Sequence, residues 1–224
     1  MDIIRYIDIN SNNLVVNSVY EDSREVGAPL NGQPLLKLFP GIGNMKGIRV
    51  VGNTPNWKLY VLTSTESQLD WPDALDESTG ILTYWGDNRT PGKNLHDPPG
   101  NKFFREIFAR ATYTKEERLR TPPGFYFTHR GKQSRDMIFR GMIIPKTNEV
   151  SDSEDLIAVW RGSQGSRFLN YRSKFTVLDV VEIELKWVAS VLKGKELRGL
   201  VPLAWKNWQE TGKIQALESH RICD

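Results

Sequence analysis

Seven short β-branched and aromatic runs, each closed by turn-forming residues, constrain this chain more than any other feature. They are Gly47–Val51, Lys58–Thr63, Ile81–Tyr84, Phe125–Thr128, Met137–Arg140, Leu156–Trp160 and Lys174–Val180. Runs of this kind are strand signals, because β-branched and aromatic side chains fit a pleated, half-buried surface. So many of them, densely spaced, predict a β-barrel or sandwich core. One stretch breaks the pattern. From Asn101 to Ala111 the residues Phe103, Phe104, Ile107, Phe108 and Ala111 fall on a single 3.6-period face, which predicts a helix packed on the strands. Two further helices are expected near the end, Val181 to Lys193 closed by Gly194 and Leu203 to Thr211 closed by Gly212. The fold class expected is α+β, a β-barrel or sandwich core with flanking helices.

At 224 residues the chain suits one large domain or a domain with a small appendage. No apolar run approaches the roughly 18 residues that a membrane-spanning helix needs. The first residues, Met1 to Arg5, carry neither a basic leader nor an apolar segment. The single cysteine, Cys223, has no partner for an internal disulfide, and together these features predict a cytoplasmic protein with no membrane partner. His96, His129 and His220 are dispersed without metal-ligand spacing, so neither a metal nor a cofactor is expected.

Charge is distributed unevenly. The net charge of +3 divides into −4 over residues 1–100, +7 over 101–146 and zero over 147–224. A concentrated basic excess is a candidate nucleic-acid footprint, and solvated surface is its ordinary alternative.

Candidate chemistry is sparse. The glycines of Gly41 to Gly47 suggest a phosphate loop, but the spacing matches neither nucleotide fingerprint, and a strand rather than a helix is expected to follow. Asp179 with Glu184-Leu185-Lys186 has the residue types of a Mg²⁺-dependent nuclease, in which carboxylates hold the metal and a lysine helps activate water. Here the Glu-x-Lys is expected on a helix, whereas that chemistry normally places it on a strand. No nucleophilic triad is visible, so no catalytic residue is assigned.

The richest stretch is 57–104. Trp57, Tyr60, Trp71, Tyr84 and Trp85 interleave with Asp70, Asp73, Asp76 and Asp87, and a Gly/Pro/Asn loop then runs from Gly86 to Gly100. Aromatic faces stack on bases, and a carboxylate accepts a hydrogen bond from the amine of cytosine, so the composition suits a pocket for an extruded base.

The order of these motifs resembles an SRA (SET and RING-associated) domain, a reader of modified cytosine. The matching segments are Gly41 to Gly47, Lys58 to Thr63, Trp71-Pro72-Asp73, Thr83-Tyr84-Trp85-Gly86, the finger Asp87 to Pro99, and Gly100-Asn101-Lys102. Closer still is a resemblance to the SRA-like N-terminal DNA-recognition domain of AspBHI/MspJI-type modification-dependent restriction endonucleases. It is carried by Tyr84 to Asn88, Pro91 to Asp97, Gly100 to Lys102, Pro34 to Leu38, Pro40 to Asn44 and Asn170 to Asp179.

The resemblance implies an α+β fold with an SRA-like curved β-barrel core and flanking helices, and a domain that binds double-stranded DNA and flips a modified cytosine, 5-methylcytosine foremost, for a nuclease domain in the same or a partner chain. It implies residues 1–180 as recognition domain and 181–224 as a helical extension leading towards a nuclease that would begin where this chain ends. The base pocket it implies holds Asp73 on the cytosine amine edge, Tyr84 and Trp71 as stacking walls, and Trp85 and Asp76 beside them. Asn44 and Met45 would probe the groove, with Asn88, Arg89, Lys93 and Asn94 on the finger. Phosphates would meet Lys102, Arg105, Arg130, Lys132 and Arg135. The sequence departs from the SRA pattern at Trp85, where a small residue is usual, and the finger lacks the Asn-Lys-Arg triplet of eukaryotic readers. Two other readings stay open: a complete Mg²⁺-dependent nuclease using Asp179, Glu184 and Lys186, or a β-rich module that binds a protein or small ligand.

Overall fold

The structure, a computed structural model, describes residues 1–23, 32–42, 47–66, 72–112, 114–131, 135–148, 151, 154–163, 165–195 and 197–218. The strands are β1 (Ile3–Ile4), β2 (Leu14–Val15), β3 (Val19–Tyr20), β4 (Ile48–Asn53), β5 (Asn56–Ser64), β6 (Ala74–Asp76), β7 (Ile81–Trp85), β8 (Gly124–His129), β9 (Met137–Ile144), β10 (Leu156–Ser163), β11 (Ser166–Val177) and β12 (Glu182–Ile183). The helices are α1 (Pro34–Leu38), α2 (Pro99–Thr112), α3 (Lys115–Leu119), α4 (Leu185–Leu192) and α5 (Leu203–Thr211). Each of the seven runs lies wholly or mostly in a strand, so the chain is a mixed α+β protein. No helix among the described residues is long and apolar enough to cross a membrane.

Contacts divide the chain into two compact units. The first comprises Met1–Ser67, Pro122–Met142 and Asp179–Lys206. Its sheet has the order β4-β5-β8-β9, with β3 beside β9 and β1 beside β3. β5 and β8 run parallel, pairing Tyr60 with Gly124 through Ser64 with Thr128. Both strands are buried on both faces: Leu59, Tyr60, Val61, Leu62, Phe125, Tyr126 and Phe127 are all fully buried. That explains their near-continuous apolar sequence, since a strand covered on both sides has no polar face to alternate. Gly124 is required by this packing, because a Cβ there would lie 2.2 Å from the Tyr60 ring. Trp187 of α4 covers the layer, with its ring 6.5 Å from that of Phe125.

The second unit comprises Gln68–Thr121, Ile143–Leu178 and Asn207–Asp224. β11 pairs antiparallel with β7 on one side and β10 on the other, and β6 pairs with β7. Successive side chains of a strand point to opposite faces. Leu82 and Tyr84 therefore share one face with Phe175, against which α2 lays Phe104 and Phe108 at ring distances of 5.5 and 5.0 Å. Trp85 and Thr83 take the other face.

The α+β class holds, and the curved core is open, with β4 at an edge in the first unit and β6 at an edge in the second. Two expectations are corrected. The helix expected from Val181 begins only at Leu185, because Glu182–Ile183 is drawn into a two-stranded ladder with Leu14–Val15. The last run belongs to a strand that starts eight residues earlier, at Ser166.

Candidate nucleic-acid interface

The finger that follows β7 is held by buried asparagines. Asn88, Asn101 and Asn170 are all fully buried. Asn170 on β11 donates from Nδ2 to the Gly86 carbonyl (2.9 Å), while its Oδ1 accepts from the backbone N–H of Asn88 (3.3 Å) and Tyr171 (2.9 Å) and from Asn101 Nδ2 (3.2 Å). Asn101 also donates to the Leu95 carbonyl at 2.8 Å and accepts from the Asp87 amide at 3.0 Å. Asp87 returns both carboxylate oxygens to the first turn of α2, accepting from Gly100 N and Asn101 N at 2.9 Å each. Two otherwise unpaired amides at a helix start are thereby satisfied, and the negative charge faces the positive end of the helix. Asn88 donates to the carbonyls of Leu169 (2.8 Å) and Lys93 (3.4 Å). Gly86 sits in the middle: a Cβ there would meet Asn101 Oδ1 at 2.0 Å and Asn170 Oδ1 at 2.6 Å.

This network explains why Trp-Gly-Asp-Asn, Gly-Asn-Lys and Asn-Tyr-Arg occur in one chain. Asp87, Asn101 and Asn170 were not singled out as site residues by sequence reasoning. The signal lay in the asparagines of the quoted motifs, because a buried asparagine is retained only where its hydrogen bonds are made. Asn88, expected to reach DNA, is instead a buried anchor. Arg89, Lys93 and Asn94 are exposed on the finger, and Asn94 Oδ1 accepts from His96 N at 2.8 Å.

The structure brings Asp73 and Trp85 together. Asp73 Oδ1 accepts from the Trp85 amide at 3.0 Å, and the Trp85 indole donates to the Pro72 carbonyl at 3.2 Å. The Arg161 guanidinium lies 3.6 Å from the centroid of the Trp85 ring, a cation–π stack. Burial lowers the Arg161 pKa, and the neighbouring Arg172 lowers it further. Tyr84 faces the other way. It is 3% exposed and meets Phe104 edge to face at 6.1 Å, which makes it core. Asp76 caps the β6–β7 turn, accepting from the Ser78 hydroxyl (2.6 Å) and amide (2.9 Å), and these bonds hold its carboxyl below the usual carboxylate range. Lys102 and Arg105 are exposed on α2, and Arg105 lowers the Tyr171 pKa against the larger raising effect of burial. Tyr171 and His96 are joined at 3.2 Å.

In the first unit, Arg130 contacts Asp136 at 3.7 Å and Arg135 contacts Asp22 at 2.7 Å. Asn44, Met45, Trp71 and Lys132 lie outside the described residues. Glu184 is the exposed residue preceding α4, Lys186 is exposed on its first turn and Asp179 is half-buried. Among the described residues no three of His, Cys, Asp or Glu are grouped so as to hold a metal ion.

Comparison with known proteins gives one family and close structural relatives. The family model described as restriction endonuclease AspBHI N-terminal matches residues 14–220. The DNA recognition domain of the cytosine modification-dependent restriction endonuclease LpnPI superposes with a TM-score of 0.88 at 32% identity, covering 98% of this chain and 97% of that one. The DNA modification-dependent restriction endonuclease AspBHI gives a TM-score of 0.88 at 37% identity, covering 97% of this chain and 55% of that one. MspJI restriction endonuclease in complex with a 27-mer oligonucleotide shares the fold, with a TM-score of 0.69 at 20% identity over 93% of this chain and 55% of its own. The chain thus spans about half the length of the AspBHI and MspJI chains. A search of curated protein sequences found no match. With the family model covering nearly all of its residues, the chain belongs to the AspBHI N-terminal family of restriction endonuclease domains.

Proposed function

We propose that this chain is a DNA-recognition module that binds double-stranded DNA carrying a modified cytosine, 5-methylcytosine foremost, and delivers it to a nuclease domain in the same or a partner chain. The observation that carries this reading is the fit to the LpnPI recognition domain over 97% of that domain's length. Residues 1–180 form the recognition body in this reading, and 181–224 lead towards the nuclease. The setting is the cytoplasm, where restriction acts on incoming DNA.

The pocket for the flipped base is centred on Asp73. One of its oxygens holds the Trp85 amide, which fixes the carboxylate, and a carboxylate is the group that accepts from the cytosine amine. Trp71 and Trp85 supply stacking walls, Tyr84 backs the strand from the core, and Asp76 fixes the turn that carries β6 back to β7. Extruding a base costs a few kcal/mol, while stacking returns about 1–3 kcal/mol and a good polar base contact about as much again. Asn44 and Met45 fill the vacated stack. Arg89, Lys93 and Asn94 present the finger to the duplex, held in place by Asn88. Lys102, Arg105, Arg130, Lys132 and Arg135 meet phosphates, which position the duplex without reading it.

A gel-shift panel of unmodified, 5-methylcytosine and 5-hydroxymethylcytosine duplexes tests the reading. Preference for a modified duplex is expected, and equal binding to all three overturns it. A fluorescent base analogue beside the modified cytosine should brighten on binding; an undisturbed stack in a tight complex would remove the flipping step and move recognition to the methyl edge in the major groove.

A further inference from the structure

The hairpin of β10 and β11 extends past the strand that supports it. Its two strands pair over eight positions, from Leu156 with Ser173 to Ser163 with Ser166. β7 accompanies β11 only from Arg172 to Thr176. Nearer the tip, Ser166 to Phe168 have β10 on one side and no strand on the other among the described residues. Between these stretches the finger replaces the strand: the Gly86 amide donates to the Tyr171 carbonyl at 2.9 Å and Asn88 Nδ2 to the Leu169 carbonyl at 2.8 Å. The root is bolted too. Asp155, fully buried, accepts from the Thr147 hydroxyl (2.6 Å) and Lys146 Nζ (3.0 Å), and its carbonyl accepts from Lys174 N at 2.7 Å.

What this two-stranded ribbon presents is unusual for an edge. Trp160 is 65% exposed. Arg167 is exposed, and it makes no ion pair with a carboxylate among the described residues. From Leu156 to Leu178 the sequence has four cations, Arg161, Arg167, Arg172 and Lys174, and no Asp or Glu. Arg161 lies over Trp85, and Arg172 is the register partner of Trp85, so two like charges share one face. The Arg172 Nε is buried without a hydrogen-bond partner. Trp160 and Arg167 share the opposite face, through the register partners Leu169 and Gly162, and an exposed cation beside an exposed indole suits a phosphodiester and the apolar sugar and base edges next to it.

We propose that the β10–β11 ribbon is a second DNA-contacting element, fixed to the finger by Asn88 and Asn170, with Arg167 on a phosphodiester and Trp160 against sugar and base edges. A two-stranded ribbon is of a size that the major groove admits. The inference rests on the DNA-recognition reading above and adds the surface through which affinity is gained.

The test uses the full chain in fluorescence-anisotropy titrations with a labelled duplex bearing one 5-methylcytosine and with its unmodified twin, across a series of salt concentrations. Trp160→Ala and Arg167→Gln are compared with wild type after thermal melting has shown both to be folded, which their exposure favours. Each is expected to weaken binding to both duplexes by about tenfold, in line with the loss of one stacking or charged contact. Arg167→Gln should also lower the slope of log affinity against log salt by about one, and Arg167→Lys should restore it. Inorganic phosphate should compete no better than chloride at matched ionic strength; selective competition would make the site one for free phosphate and overturn the assignment. If wild type prefers the modified duplex and both variants bind as it does, the ribbon proposal falls and the recognition reading stands. If wild type binds neither duplex, both fall. Loss of self-association on Trp160→Ala with DNA binding unchanged would make the ribbon a protein interface.

Discussion

Two basic regions of this molecule look alike in composition and differ in what their cations hold. The segment 130–135 lies in the most basic stretch of the chain, yet Arg130 already contacts Asp136 and Arg135 already contacts Asp22. The β10–β11 ribbon belongs to a stretch whose net charge is zero, yet from Leu156 to Leu178 it has four cations and no acid in sequence, and its exposed Arg167 makes no ion pair with a carboxylate among the described residues. An arginine that holds a carboxylate has its counterion built in, so it releases little on meeting a phosphate. An exposed one that makes no such pair, as Arg167 does not, keeps its charge available. Net charge over a long window therefore ranks these regions in the opposite order from the local geometry.

The largest effect is expected where the ribbon and finger are joined. Asn170→Ala removes one donor and one acceptor that between them serve four partners in a fully buried site. Each buried polar group left unpaired costs about 1–3 kcal/mol, so a loss of several kcal/mol in urea unfolding is expected. Gly86→Ala attacks the same junction by overpacking, since the new Cβ would fall 2.0 Å from Asn101 Oδ1. Both variants should lose preference for modified DNA along with stability. If Asn170→Ala unfolds as wild type does, the network is not what distinguishes this region from the 130–135 segment.

How much of this was legible in the sequence can be read from β11. Its last three residues, Phe175-Thr176-Val177, are aromatic or β-branched and stand out as a strand. Its first eight residues, Ser166 to Ser173, carry two arginines, an asparagine and two serines, and the periodic signal fades. The strand exists there because β10 and the finger supply its hydrogen bonds, which is a tertiary cause. The same applies to Val181 to Ile183, whose helical pattern yields to a ladder with β2. α2 was legible because its own phenylalanines bury it. At the site, Asp73 and Trp85, which the resemblance places in one pocket, do meet. Asn88 and Tyr84 did not behave as their residue types suggested: a polar residue in a loop turned out to be buried scaffold, and an aromatic beside the pocket turned out to be core. Burial of that kind is set by β11, about 80 residues further along the chain.

Next in size is Asp73→Ala. Because the proposed base contact is made only by a flipped cytosine, affinity for the 5-methylcytosine duplex should fall by about tenfold or more and affinity for the unmodified duplex by much less, as seen in parallel titrations. Equal losses would transfer the role of Asp73 to holding the Trp85 amide alone.

A smaller effect separates the two basic regions directly. Arg167→Gln should reduce the salt slope by about one, given roughly 0.9 per phosphate released. Arg130 and Arg135 changed together should reduce it by less, because each leaves behind a carboxylate that had been neutralised. Reversal of that order would place the duplex on the 130–135 segment.

The smallest effect concerns the turn acid Asp76, which differs from the buried Asp155 in being held by a turn at full exposure. Its carboxyl is lowered first by the Ser78 hydroxyl, then by the Ser78 amide and the Thr79 hydroxyl. A group whose folded pKa lies below its unfolded one stabilises the fold above the unfolded value, about 3.9 for aspartate, and loses that contribution as pH falls through the folded value. Asp76→Ala should therefore melt slightly below wild type at pH 7, and the gap should narrow as melts are repeated from pH 4 down to about 2.5. A gap that stays constant over that range would mean that the turn relies on shape and neutral hydrogen bonds, and the charge of Asp76 would then be free to act on a ligand.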